Sequence, residues 1–194
     1  IRVKFYEVDS NLMPIWTSIE QKIDKATRAL LIVNYFGFPN DLMAARDLCD
    51  RRGIYLIEDN AHSFLSSDNG KPLGSTGDIS FFSFRKITPV PNGAALIVNN
   101  RQLAGRASKP ECFKGHGKSL RFIMKNLCPA STIKEIDIEA SRVKNRSEEH
   151  DIKKYFTGFS GLSHLLMRHF DFNYIKEQRR WAYNQCIDFF SCGR

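Results

Sequence analysis

Two continuous apolar runs, Ala29 to Val33 and Ile54 to Ile57, constrain the fold more than any other feature of this chain. Both are too short for core helices, so they read as strands buried on both faces. Between them lies a stretch of helical period. Asn40 or Asp41 stands at its start, Leu42, Ala45, Leu48 and Cys49 recur on one face, and Gly53 ends it. A buried strand, a helix and a second buried strand are the unit of an α/β domain with a mostly parallel sheet and helices on both faces.

The same reading extends in both directions. Val3 to Val8 is strand-like, and Pro14 opens a helix with Ile15, Trp16, Ile19 and Ile23 on one face. Ile79 to Phe84 and Ala94 to Val98 are further strands, joined by a loop with Pro89, Pro91, Asn92 and Gly93. From Asn99 to about Ser160 the pattern blurs into irregular connections with one or two helices. Gly115 and Gly117 flank His116 there, and SRVKNRSEEH is polar throughout. Ile175, Ala182, Cys186 and Phe189 then predict an amphipathic helix over about Tyr174 to Phe190.

At 194 residues and 42% hydrophobic content the chain can bury one ordinary core. No apolar run approaches the roughly 20 residues that span a bilayer, and no secretory leader pattern is visible. The five cysteines are scattered and lack metal-ligand spacing, which argues against a disulfide framework or zinc ribbon and fits a reducing, cytoplasmic setting. Residues 1–100 carry eleven basic and eleven acidic side chains, so the net charge of +8 comes from the second half. Acidic residues interrupt the basic ones there, which favours an ordinary solvated surface over a nucleic-acid site. Because the chain opens on Ile1 inside a strand-like run, it reads as a piece of a longer protein.

Candidate chemistry gathers at two strand ends. IEDNAHSF puts Glu58, Asp59 and His62 at the carboxyl edge of the sheet, where open α/β folds bind ligands. GSTGDISFFSFRK leads through a strand to Ser83, Arg85 and Lys86. Taken singly, Asp59 fits a strand-ending turn equally well, His62 a satisfied polar group and Lys86 a solvated cation. Together, an acid and a lysine on consecutive strand ends are the pair that pyridoxal phosphate chemistry needs. The acid faces a pyridinium nitrogen, and the amine attacks a carbonyl.

YFGFPNDL, IYLIEDNAHSF, KPLGSTGDISFFSFRK and NGAALIVNN resemble, in order and spacing, the DegT/DnrJ/StrS-type sugar aminotransferases of the fold type I pyridoxal phosphate enzymes. The resemblance runs over nearly the whole chain and is strongest from about Arg28 to Asn100. It implies the central part of the family's large domain over residues 1–170. Residues 171–194 would then form the helix leading into the small carboxyl-terminal domain. Asp59 would pair with the pyridine nitrogen, His62 would lie near the phenolic oxygen, Ser83 would bind the phosphate, and Lys86 would form the Schiff base and carry the proton. The implied reaction moves an amino group, typically from glutamate, to a nucleotide-linked keto sugar for polysaccharide, lipopolysaccharide or antibiotic assembly. The implied enzyme is a homodimer with its site at the subunit boundary. In this sequence the interval from Ser83 to Lys86 is shorter than in most members. ITPVPNG replaces a glycine-rich turn, and Ser160 stands roughly where a phosphate-binding asparagine is usual. A sugar dehydratase on the same scaffold and a non-catalytic regulator or binding partner are the alternatives. Lys86 argues against the first, while the shortened loop favours the second.

Overall fold

Ala29–Val33 (β1) and Tyr55–Asn60 (β2) pair in parallel, with Ala29 beside Tyr55 and Val33 beside Asp59. The computed structural model describes residues 1–106 and 159–191. The chain divides into two compact units, residues 1–87 with 94–107 and residues 88–93 with 108–194.

In the first unit, β2 pairs in parallel with Ile79–Ser83 (β5), and β5 pairs antiparallel with Ala94–Val98 (β6). The sheet order is β1-β2-β5-β6. Between β2 and β5 a small hairpin pairs Ser67–Asp68 (β3) with Lys71–Pro72 (β4). Its turn residues Asn69 and Gly70 both have positive φ, the geometry an Asn-Gly hairpin favours.

Trp16–Lys22 (α1) and Leu42–Arg52 (α2) cover one face of this sheet. Ile19 of α1, Leu42, Ala45, Leu48 and Cys49 of α2, and Leu30, Ile32 and Leu56 of the strands form one buried cluster. Each fully buried Leu or Ile there contributes about 1.5–3 kcal/mol relative to exposure. Both ends of α2 follow local rules. The Asp41 carboxylate accepts the Ala44 N–H at 3.0 Å, and Gly53 closes the helix in the left-handed conformation at φ 61°.

The structure corrects three expectations. Val3 to Val8 forms no strand, because only Val8 makes a bridge, to Pro14. The chain reverses at Asp9, whose carboxylate accepts the N–H groups of Asn11 and Met13, and Ile1, Val3 and Phe5 lie exposed. β2 continues past Ile57 to Asn60, since the inward Glu58 and Asn60 find buried partners. β5 stops at Ser83, and Phe84–Lys86 forms a 3-10 turn.

Beyond β6, Asn100 caps the short helix Arg101–Ala104 (α3). Residues 107–158, with His116, its glycines and the SRVKNRSEEH segment, lie outside the described residues. In the second unit Ser160 caps Gly161–His169 (α4), and Asn92 Oδ1 accepts the hydroxyl of Ser163 at 2.5 Å. Phe172–Ser191 (α5) is a helix slightly longer than its sequence pattern, opened by Asp171, which accepts the N–H groups of Asn173 and Tyr174. No described helix is long and apolar enough to cross a membrane.

Candidate active site

Strand register decides which side chains of β2 share a face. Asp59 lies beside Val33 on one side and Phe81 on the other, and Ser83 follows Phe81 by two residues. Paired positions of parallel strands point the same way and alternate along each strand, so Asp59 and Ser83 share the face opposite α1 and α2. Glu58, beside Ile32 and Ser80, points toward the helices and is fully buried. Of two adjacent acids, one therefore belongs to the interior and one to the open face.

Asp59 Oδ1 accepts the Ala61 N–H at 2.9 Å. Among the described residues Oδ2 has no hydrogen-bond partner. Lys86 Nζ lies 2.9 Å from His62 Nε2. A protonated amine donating to that nitrogen places the neutral imidazole's own proton on Nδ1. Aromatic contacts hold the two loops together. Phe64, two residues after His62, meets Phe84, two residues before Lys86, edge to face at 4.7 Å. Phe36 stacks on the His62 ring at 5.5 Å with planes 9° apart. The structure thus brings His62 and Lys86 into contact and sets Asp59 and Ser83 on one face.

A buried polar network, which the apolar run Ile54 to Ile57 does not reveal, fixes the loops around these residues. Glu58 accepts the N–H groups of Gly74 and Thr76 at 2.8 Å, that of Gly77 at 2.5 Å, and the Asn60 amide at 3.1 Å. Asn60 in turn accepts from Asn34, and Asn34 accepts the Asn40 N–H, both at 2.8 Å. The loops after β1 and β2 and the 74–77 segment are therefore tied to one carboxylate. Inward alternation of Leu56, Glu58 and Asn60 is the signal that points to it. Gly74 has φ 95°, and a Cβ there would fall 2.6 Å from the Phe82 ring, so this turn requires glycine.

Asp78 ties together the starts of β2 and β5 at the other edge of the sheet. It accepts from Arg46 and from the Leu56 N–H at 2.8 Å, and from Asn100 at 2.7 Å. Burial alone would push its carboxyl up, but these three donors outweigh that and hold it below the usual carboxylate range. Among the described residues no group of three or more His, Cys, Asp or Glu is placed to hold a metal ion.

The sequence model of the DegT/DnrJ/EryC1/StrS aminotransferase family matches residues 2–141. The chain belongs to this family. Its four-stranded, mostly parallel sheet with helices is an α/β arrangement. It is 30% identical over 151 residues to GDP-perosamine synthase of Escherichia coli O157:H7, covering 71% of this chain and 41% of that protein. With dTDP-4-dehydro-2,3,6-trideoxy-D-glucose 4-aminotransferase of Saccharopolyspora spinosa it shares 34% identity over 111 residues, covering 56% of this chain and 29% of the relative. Among solved structures, the aminotransferase TlmJ from Streptoalloteichus hindustanus is 34% identical with a TM-score of 0.49, covering 54% of this chain and 30% of that one. The chain spans less than half the length of each.

Proposed function

We propose that the protein carrying this chain is a pyridoxal phosphate-dependent aminotransferase that moves an amino group, with glutamate as donor, to a nucleotide-linked keto sugar. The products would enter polysaccharide, lipopolysaccharide or secondary-metabolite assembly in the cytoplasm, and the working enzyme would be a homodimer. Residues 1–170 would belong to its large domain and residues 171–194 would lead into the small one. The observation that carries this reading is the His62–Lys86 contact at 2.9 Å beside the face that holds Asp59 and Ser83. Family membership and relatives named for GDP- and dTDP-linked sugars support the substrate class.

The donor set suits the cofactor. Asp59 has a carboxylate oxygen without a partner among the described residues, which suits a protonated ring nitrogen. The Ser83 hydroxyl suits a phosphate oxygen, and His62 offers a polar ring beside the amine. When bound, pyridoxal phosphate would supply the electron sink that lets a proton leave the carbon bearing the amino group. Lys86 Nζ would be the amine that holds the cofactor's carbonyl carbon, and afterwards the base that takes and returns that proton. Asp59 would keep the ring nitrogen protonated, and His62 would orient the amine.

The test is borohydride reduction of the full-length protein with pyridoxal phosphate, followed by peptide mapping. An adduct on Lys86, lost in Lys86→Ala, is expected. A folded protein whose adducts are absent, or scattered over surface lysines, would overturn the lysine assignment and favour a non-catalytic family member. Glutamate-dependent formation of an amino sugar, rather than deoxygenation of the keto sugar, separates the aminotransferase from the dehydratase.

A further inference from the structure

Phe36 has a backbone that its side chain disfavours. It sits at φ 55°, ψ 14°, a left-handed conformation suited to glycine or asparagine, and is followed by Gly37 at φ 92°. Burial does not explain the residue, for Phe36 is 66% exposed and outside the core cluster. Nor does the turn itself need a ring, since a smaller residue would adopt this backbone with less strain. What the ring does is stack, offset, against the His62 imidazole, with centroids 5.5 Å apart and planes 9° from parallel. The two loops press together at the same place. A Cβ on Gly37 would fall 2.9 Å from Ser66 Oγ and 3.2 Å from the His62 carbonyl oxygen.

We infer that Phe36 is a positioning residue, which holds the His62 imidazole in the plane that brings Nε2 to the Lys86 amine. The terminal torsion of histidine is broad, so without a neighbour on its face the ring turns and Nε2 leaves Lys86. A parallel stack removes that freedom, because rotating the imidazole would drive it into the phenyl ring. The loop after β1 thereby controls an amine at the end of β5, through one ring-on-ring contact and one hydrogen bond. Strain at a residue whose side chain contributes nothing to the core is what such a task leaves behind. This role rests on the proposed use of Lys86, but the geometry exists without cofactor, so it can be measured without cofactor.

The experiment compares Phe36→Asn and Phe36→Tyr in the full-length protein. Asparagine accepts the left-handed backbone and removes the ring, whereas tyrosine keeps the stack. Thermal unfolding reports whether each variant folds, and Phe36→Asn is expected to be at least as stable as the parent. Two cofactor-free readouts follow, the NMR shifts of the His62 ring protons and the rate at which an amine-acylating reagent labels Lys86. In Phe36→Asn the His62 protons should lose their ring-current shift, and Lys86, no longer held by Nε2, should label severalfold faster. Phe36→Tyr should restore both. Parental shifts and labelling in a folded Phe36→Asn would overturn the proposal. Loss of both in Phe36→Tyr would also overturn it, since the stack would then not be the cause. Absence of a Lys86 cofactor adduct in the parent protein would count against the aminotransferase reading alone, with these readouts still deciding the role of Phe36.

Discussion

Glu58 is fully buried, and among the described residues it has no cationic partner. Its charge is dispersed over three backbone N–H groups and one side-chain amide. Hydrogen bonds to a charged group contribute more than neutral ones, and a buried donor left facing another donor costs its full desolvation. Glu58→Gln keeps the shape but turns one end into a donor aimed at donors. The expected loss is about 2–3 kcal/mol, read as a lowered denaturant midpoint at unchanged slope. Faster hydrogen exchange at Gly74, Thr76 and Gly77 should accompany it.

The element on which the sheet most depends is α2, which connects β1 to β2 and covers both. It has no acidic residue in its first turn, so Asp41 alone supplies both the capping oxygen and the negative charge at its amino end. Asp41→Ala should cost about 1 kcal/mol and speed exchange at Ala44, while Asp41→Ser should recover most of the loss. On the buried side of this helix, desolvation pushes the Cys49 thiol up to about 11, against the pull of Arg46. Cys49 is fully buried in the core cluster, where it packs.

Across the whole first unit, Asp78 joins parts distant in sequence: Arg46 on α2, the start of β2, and Asn100 before α3. Its carboxyl is held below the ordinary value, so the folded state favours the ionised form. That contribution is complete above the unfolded carboxylate pKa of about 3.9 and disappears as pH falls through the lower folded value. Stability should therefore drop on acidification below about pH 4. Asp78→Asn should be less stable at neutral pH yet show a shallower acid limb, and denaturant titrations at a series of pH values will compare the two.

The sequence by itself determined what depends on neighbours along the chain. The bounds of β1 and β6, the buried face of α2 and its glycine stop all follow from periodicity and backbone preference, which are local, whereas the choice of Asp41 over Asn40 as its cap came from the structure. Asp59 and Lys86 could be placed at strand ends for the same reason. Only the tertiary structure decided the rest. β2 runs on through Glu58 and Asn60 because loops far away in sequence supply their hydrogen bonds, so polarity did not mark its end. Val3 to Val8 has the look of a strand, but a ladder needs a neighbour, and among the described residues the segment meets one only at Val8. The stack of Phe36 on His62 and the contact of His62 with Lys86 join three separate loops, a meeting that no local pattern encodes because the folded sheet is what brings their ends together.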